Sequence, residues 1–251
     1  SLITLIALLC SGCGMVKKRV YPAPQDDSMP AMKGAEIVET PSSNKRIAKA
    51  LFAPNGKTLY VCIHGKGSII QSVLSTTQRF YDAGHSIFIP EYPGYGISKD
   101  FAVSEKAIFE DVANSIKNVQ KTKGYTPENT VLVGHSLGGG VAIEMASRKL
   151  GTRLITISAF SSMDDMVGMQ IPPWLARIVN SEKFDNDEKA PKISIPTLII
   201  HGDEDDYVPF YMAEKLHSLF PKSKLRSVKS KSHGTIFEDL REVDWKSIVT
   251  F

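Results

Sequence analysis

The sequence has little cysteine and little net charge for its 251 residues. Its three cysteines, Cys10, Cys13 and Cys62, are too few for a disulfide-stapled mini-protein. The 30 basic and 27 acidic residues leave a net charge of +3 that is spread along the chain, so no nucleic-acid partner is expected. HExxH, P-loop and G-x-G-x-x-G patterns are missing, and the sequence therefore implies neither a metal nor an organic cofactor.

The composition is close to that of an average folded protein. With 42% hydrophobic and 23% charged residues, a disordered, collagen-like or solenoid chain has little support. The length corresponds to one large domain or two small ones, so the chain can bury a substantial core.

The N-terminus has a targeting pattern. Residues 2–10 (LITLIALLC) are apolar and uncharged, and they are too short to span a bilayer, which takes about 20 residues. The small residues Ser11 and Gly12 and then Cys13 follow, as in a signal segment. The pattern resembles the lipobox of bacterial lipoproteins. That resemblance implies a signal segment over 1–13, acylation of Cys13, a membrane anchor and a location in the cell envelope, at the outer membrane or periplasmic face in a Gram-negative cell.

Two other interpretations of this segment remain. It could be a buried N-terminal helix or strand. Cys10 and Cys13 also match a redox C-x-x-C by spacing, although such motifs begin a helix inside a folded βαβ unit. Residues 14–34, with Lys17-Lys18-Arg19 and several prolines, have the composition of a tether. We therefore predict a folded domain over residues 35–251.

The folded part alternates between strand and helix patterns. A hairpin is predicted over residues 36–52, and helices over 104–123 and 141–150. Short, almost continuously apolar runs indicate strands buried on both faces, at 59–63, 86–89, 130–133, 154–157, 197–200 and, more weakly, 225–228. The fold class is therefore α/β, with a mostly parallel central sheet and helices on both faces.

Polar and Gly-rich clusters follow the carboxyl ends of these strands. They begin at His64, Glu91, Gly134 and His201. In open α/β sheets this edge binds ligands, so the functional edge is predicted here.

One of these clusters, Gly134-His135-Ser136-Leu137-Gly138, fits the pattern G-x-S-x-G between a strand and a helix. Such a sharp turn presents the Ser hydroxyl at a helix N-terminus, where the Leu137 N–H can stabilise an oxyanion. A serine nucleophile requires a base and an orienting acid. Downstream, Asp205 follows the 197–200 strand and His233 follows the last strand, in the order Ser, acid, His.

Four motifs together resemble the α/β-hydrolases of the bem46-like and serine-aminopeptidase-like group. They are Ile63-His64-Gly65, Glu91-Tyr92-Pro93-Gly94-Tyr95-Gly96-Ile97-Ser98, Gly134-His135-Ser136-Leu137-Gly138-Gly139 and His201-Gly202-Asp203-Glu204-Asp205-Asp206-Tyr207-Val208-Pro209. The resemblance runs from about residue 35 to the C-terminus and implies the α/β-hydrolase fold. It also implies that the acid is Asp205, with Asp203, Glu204 and Asp206 as alternatives, and that the second oxyanion donor is the Lys66 N–H, although any amide over 66–68 could point inward.

The stretch from about 160 to 195 is longer than a crossover helix requires, and two short helical patterns within it predict a small cap. Met163, Met166 and Trp174, together with Met169 and Ile178, are candidates to line an acyl pocket because methionine adapts to varied apolar shapes. The alternative is that these side chains only pack the cap against the body. Among the histidines, His64, His135 and His201 are interpreted as structural.

These features predict a serine hydrolase that cleaves carboxylester bonds of a small-molecule acyl substrate. Ser136 would be the nucleophile, His233 the base and Asp205 the orienting acid. An amide or peptide hydrolase using the same residues is an alternative, because pocket shape separates the two. A non-catalytic envelope binding protein with a hydrolase fold is another, since fold does not prove function.

Overall fold

A computed structural model of the chain describes residues 21–24, 26, 28–237, 245, 248 and 250–251. The predicted signal segment over 1–13, including Cys13, lies outside the described residues. So does much of the predicted domain after residue 237.

The strands of the described residues form a single eight-stranded sheet in the order β1-β2-β4-β3-β5-β6-β7-β8. β1 pairs with β2 and β2 with β4 in antiparallel fashion, and all other neighbours are parallel. The strand bounds are β1 (Glu36–Pro41), β2 (Ile47–Ala53), β3 (Leu59–Ile63), β4 (Ser86–Pro90), β5 (Thr130–His135), β6 (Arg153–Ile157), β7 (Thr197–Gly202) and β8 (Ser223–Val228). The predicted α/β class with a mostly parallel sheet is confirmed.

Helices cover both faces of the sheet. Their bounds are α1 (Ile70–Asp82), α2 (Glu105–Lys123), α3 (Leu137–Ser147), α4 (Met163–Gly168), α5 (Pro173–Val179), α6 (Asn186–Lys189) and α7 (Phe210–Leu219). Local signals fix α2: the Ser104 hydroxyl accepts a hydrogen bond from the Ala107 N–H, and Gly124 ends the helix at φ 78°. None of the described helices is long and apolar enough to cross a bilayer.

Alternate residues of each central strand enter different apolar layers. In β3, Leu59, Val61 and Ile63 pack with α2 and α3, whereas Tyr60 and Cys62 pack with Ile70 and Phe80 of α1. Because both faces are covered, the strands are apolar throughout rather than alternating.

The N-terminal boundary at residue 35 needs correction. Tyr21 is only 5% exposed, and its hydroxyl donates a hydrogen bond of 2.6 Å to Glu182 Oε2. The Pro24 carbonyl accepts a 3.1 Å hydrogen bond from the Gly96 N–H. The folded part therefore includes residues 21–24, called the strap below, although its proline-rich composition predicted a tether.

Candidate active site

Ser136 lies on the sharp turn between β5 and α3. Its backbone has φ 53° and ψ −118°, a strained combination for a residue with a side chain. The motif needs glycine at both flanking positions, because another stretch of backbone packs directly against each of them. A Cβ added to Gly134 would lie 2.1 Å from the Gly138 carbonyl oxygen, and one added to Gly138 would lie 2.1 Å from the Ile63 carbonyl oxygen. The G-x-S-x-G spacing is thus a packing requirement.

His233 bridges Ser136 and Asp205. Its Nδ1 lies 2.8 Å from Asp205 Oδ2, and its Nε2 lies 3.0 Å from Ser136 Oγ. An ionised carboxylate can only accept a hydrogen bond, so Nδ1 carries the hydrogen and Nε2 is left to accept the hydrogen of the Ser136 hydroxyl. The arrangement can transfer a proton from the hydroxyl to the imidazole, whose positive charge then faces the carboxylate.

The acid is held from both sides. Asp205 Oδ1 accepts hydrogen bonds from the Tyr207 and Val208 N–H groups at 3.0 and 2.8 Å. Burial acts to raise the pKa of Asp205, but the hydrogen bonds from His233 and from the Val208 N–H outweigh it and bring the pKa below its usual value. The carboxylate therefore stays ionised.

The other carboxylates of this loop have different surroundings. Asp203 accepts a 2.7 Å hydrogen bond from the Ser230 N–H, and Glu204 and Asp206 are exposed. Asp205 is the member of the loop that the fold brings to His233.

Leu137 and Lys66, whose N–H groups are the predicted oxyanion donors, line the same cavity as Ser136. Leu137 begins α3, so its N–H has no acceptor within the helix. The loop after β3 passes directly over Ser136, because a Cβ on Gly65 would lie 3.3 Å from the Ser136 Cβ. Among the described residues, no group accepts a hydrogen bond from the N–H of Leu137 or Lys66. Both donors are therefore available to a ligand.

The Lys66 ammonium packs against Tyr207. It donates a hydrogen bond to the Tyr207 hydroxyl and lies 4.4 Å from the centre of that ring. The same ring lies 5.0 Å from the His233 ring. Tyr207, which sequence reasoning missed, thus forms one wall of the site.

A buried pair fixes the loop that carries Lys66. His64 Nε2 lies 2.9 Å from Glu91 Oε1, and the Tyr92 hydroxyl donates a 2.6 Å hydrogen bond to the His64 carbonyl. Glu91 also accepts a hydrogen bond of 3.3 Å from the Ile70 N–H at the start of α1. Sequence reasoning identified His64 as structural but gave no partner for it.

A cavity of about 500 Å³ opens beside the Ser136 hydroxyl, beneath the cap. Its lining includes Met163, Met166 and Met169, as predicted, and also Phe160. Trp174 does not line it: this side chain is 66% exposed on the outer side of α5, as is Ile178 at 64%. The prediction that Trp174 forms part of an acyl pocket is corrected, because α5 presents a different side to the protein.

The described residues contain no group of three or more His, Cys, Asp or Glu side chains placed to hold a metal ion. Cys62 is buried in the sheet, and burial raises the pKa of its thiol far above the usual value.

Comparison with known families identifies the group to which the chain belongs. The sequence model of the serine aminopeptidase family, S33, matches residues 54–183, a little over half of the chain. The chain belongs to this S33 family. The matched part includes Ser136 and Lys66, whereas Asp205 and His233 lie beyond it.

Individual relatives of the chain are distant in sequence. The uncharacterised protein YfhR of Escherichia coli is 26% identical over 74% of this chain and 66% of its own length. The α/β-hydrolase domain-containing protein 17C of Xenopus tropicalis is 30% identical over 55% of this chain and 43% of its own length. The chain therefore spans less than two thirds of either relative.

Solved structures confirm the α/β-hydrolase fold. The esterase Pf2001 of Pyrococcus furiosus superposes with a TM-score of 0.74 over 91% of this chain and 96% of its own, at 15% identity. Est1E of Butyrivibrio proteoclasticus gives 0.68 over 86% and 96%, at 16% identity. At such identities the likeness establishes the fold alone.

Proposed function

We propose that this S33 family member is a serine hydrolase that cleaves carboxylester bonds through Ser136, His233 and Asp205. The observation that carries the proposal is the continuous hydrogen-bonded path from the Ser136 hydroxyl through both ring nitrogens of His233 to Asp205. The backbone strain at Ser136 supports it, since strained residues that the surrounding structure holds in place cluster at functional sites.

In the proposed acylation step, Ser136 Oγ attacks the ester carbonyl carbon while its proton passes to His233 Nε2. The carbonyl oxygen becomes an oxyanion, which accepts hydrogen bonds from the Leu137 and Lys66 N–H groups. Asp205 stabilises the imidazolium through Nδ1–H. Collapse of the intermediate expels the alcohol, which takes the proton from Nε2.

Deacylation repeats these steps with water. His233 takes a proton from the water, whose oxygen attacks the acyl carbon, and it then returns the proton to Ser136 Oγ as the acid leaves. The proton transfers between Ser136 and His233 join atoms already within hydrogen-bonding distance, and the scheme involves no metal or organic cofactor.

The cavity supports an apolar acyl group as the substrate portion beside Ser136. Phe160, Met163, Met166 and Val208 contribute apolar lining, and the space of about 500 Å³ is within the range of small-molecule sites. We further propose that acylated Cys13 anchors the enzyme in the bacterial envelope, as the lipobox-like sequence indicates.

The test is labelling of the full chain with a fluorophosphonate probe, followed by assays on p-nitrophenyl esters of increasing chain length. We expect labelling and turnover in the wild type, both lost in Ser136→Ala, and turnover lost in His233→Ala. Thr122→Ser, an exposed change on α2, serves as a control that should retain both. A folded wild type that neither labels nor turns over any ester would overturn the proposal in favour of a binding protein.

An amide or peptide hydrolase is a second candidate, favoured by the name of the matched family. Asp206 adds a carboxylate to the cavity lining, where it could pair with a substrate amino group. Amino-acid p-nitroanilides assayed beside the esters separate the two. Faster turnover of anilides than of esters, with loss of that preference in Asp206→Asn, would establish the peptidase alternative.

A further inference from the structure

The outer side of the cap exposes several large apolar side chains together. Trp174 is 66% exposed, Ile178 64% and Met169 44%. Trp174 and Ile178 are four residues apart on α5 and so lie on the same side of it, with exposed Arg177 beside them. We call Met169, Trp174, Arg177 and Ile178 the cap face. Grouped exposed apolar side chains mark interaction surfaces more often than scattered ones do.

The cap face borders the entrance to the cavity beside Ser136. Met169 belongs to both, since it lines the cavity and is 44% exposed. Gln170 and Ile171, which connect α4 and α5, also line the cavity. A substrate that enters from the cap face therefore has a short path to the Ser136 hydroxyl.

The strap determines where the N-terminal segment leaves the domain. Tyr21 is bonded to Glu182, which follows the end of α5 by three residues. Glu182 is itself fixed, since its Oε2 accepts a 2.5 Å hydrogen bond from the Glu105 N–H and its N–H donates to Asn180 Oδ1 at 3.2 Å. The chain that leads back to Cys13 thus departs beside the cap.

The chain length then limits how far the cap can be from an anchor at Cys13. Eight residue steps separate Cys13 from Tyr21, which corresponds to at most about 28 Å. Lys17, Lys18 and Arg19 lie in this interval and carry the same charge as exposed Arg177. Basic residues near an anionic bilayer are attracted to it, and tryptophan favours the bilayer–water interface.

We propose that the cap face docks on the surface of an anionic lipid bilayer and admits an acyl substrate from the membrane to Ser136. The docking part of the inference stands on the cap face, the strap and the charges. The substrate part rests on the proposed hydrolase function. The strap orients the domain so that the cap, rather than the opposite edge of the sheet, faces the lipid.

Trp174 itself provides the test, because the other tryptophan, Trp245, is buried at 3% exposure. The full chain carrying Cys13→Ser, which cannot be acylated, is mixed with vesicles of phosphatidylethanolamine and phosphatidylglycerol. The fluorescence of Trp174 is obtained by subtracting the spectrum of the same chain with Trp174→Phe. We expect a blue shift and quenching by lipids brominated in their acyl chains, both weaker on phosphatidylcholine alone.

The double variant Trp174→Ser/Ile178→Ser should bind the anionic vesicles about tenfold more weakly or worse. Met29→Ser, which removes a 66% exposed apolar side chain outside the cap face, is the matched control and should bind as the parent does. Ser136→Ala should leave vesicle binding unchanged, so that docking is measured independently of catalysis. Hydrolysis of a vesicle-borne ester should fall in the double variant, while hydrolysis of a short soluble ester should not.

Three outcomes would overturn the inference. Trp174 emission that does not respond to anionic vesicles excludes docking on lipid. Trp174 emission that is already blue-shifted in buffer indicates that another part of the chain covers the cap face. Concentration-dependent self-association that the double variant abolishes identifies a second copy as the occupant.

Discussion

The floor of the candidate site, which consists of the Ser136 turn and the loop that carries Lys66, differs from the cap above it in how tightly its backbone is packed. On the floor, Ser136 is fixed by backbone in contact with backbone, so that a Cβ on Gly138 would lie 2.1 Å from the Ile63 carbonyl oxygen. In the cap, a Cβ on Gly168 would meet nothing closer than 3.8 Å, and Trp174 faces outward. The difference teaches that the groups proposed for chemistry sit where substitution is costly, whereas those that shape access sit where it is not.

The same glycine-to-alanine substitution, made once in the floor and once in the cap, should give the largest difference in stability. Gly138→Ala should destabilise the fold by about 3 kcal/mol or more, because backbone must move to admit the methyl group. Gly168→Ala, at the end of α4, should change the free energy of unfolding by no more than about 1 kcal/mol. Urea unfolding of both variants measures the contrast. Equal stabilities would show that the floor is no more tightly determined than the cap.

Weakening the support of the floor should reduce turnover. Glu91→Gln keeps the shape of the side chain but removes the charge that faces His64 Nε2, and it should lower kcat on a soluble ester roughly ten- to hundredfold through a displaced Lys66 amide. KM should change little, because the cavity is untouched. The control is Glu214→Gln, which makes the same change from carboxylate to carboxamide at an exposed position of α7. A rise in KM at constant kcat would contradict a positioning role for Glu91.

The floor should also be the acid-sensitive region. Burial, followed by the nearby charge of His233, lowers the pKa of His135 to about 3, and its Nε2 has no hydrogen-bond partner among the described residues. The unfolded chain binds this proton near pH 6.5, so stability is lost as the pH falls from 6.5 toward 3.

Replacing the titrating ring tests this. Between pH 7 and pH 4.5, His135→Phe should lose roughly 2–3 kcal/mol less stability than the wild type. Urea unfolding at the two pH values is the measurement. Equal losses of stability in the two proteins would show that groups other than His135 cause the acid sensitivity.

The cap should give the smallest effect. Lys215 of α7 binds Asp165 of α4 at 2.7 Å and Asp187 of α6 at 2.8 Å, but its side chain is 39% exposed. Lys215→Met should therefore lower Tm by only about 2–4 °C, and activity on a soluble ester should be unchanged. A larger loss of stability would mean that the cap is fixed as firmly as the floor.

Features encoded by neighbouring residues were predictable from the sequence. β3 spans residues 59–63 as its apolar run predicted, and α2 begins one residue after its Ser104 cap. The sharp turn at Ser136 was also predictable, because the glycines that allow it are neighbouring residues in the same motif.

Features that depend on distant residues were not predictable. The partner of His64 is Glu91, 27 residues away, and that of Tyr21 is Glu182, 161 residues away. α1, by contrast, was overlooked rather than hidden: Ile70, Val73, Leu74, Thr77 and Phe80 fall at helical spacing, and this local pattern predicts the helix. Trp174 was misassigned because a seven-residue helix does not reveal which of its sides faces inward.

The two ends of the cap meet. The Met163 N–H donates a 2.9 Å hydrogen bond to the Lys183 carbonyl, so the intervening residues leave the sheet edge and return to the point of departure. Insertions and replacements are best tolerated in segments whose ends are adjacent, because the remaining chain need not adjust. The stretch between these two residues can therefore be replaced or lengthened without displacing the backbone that positions Ser136.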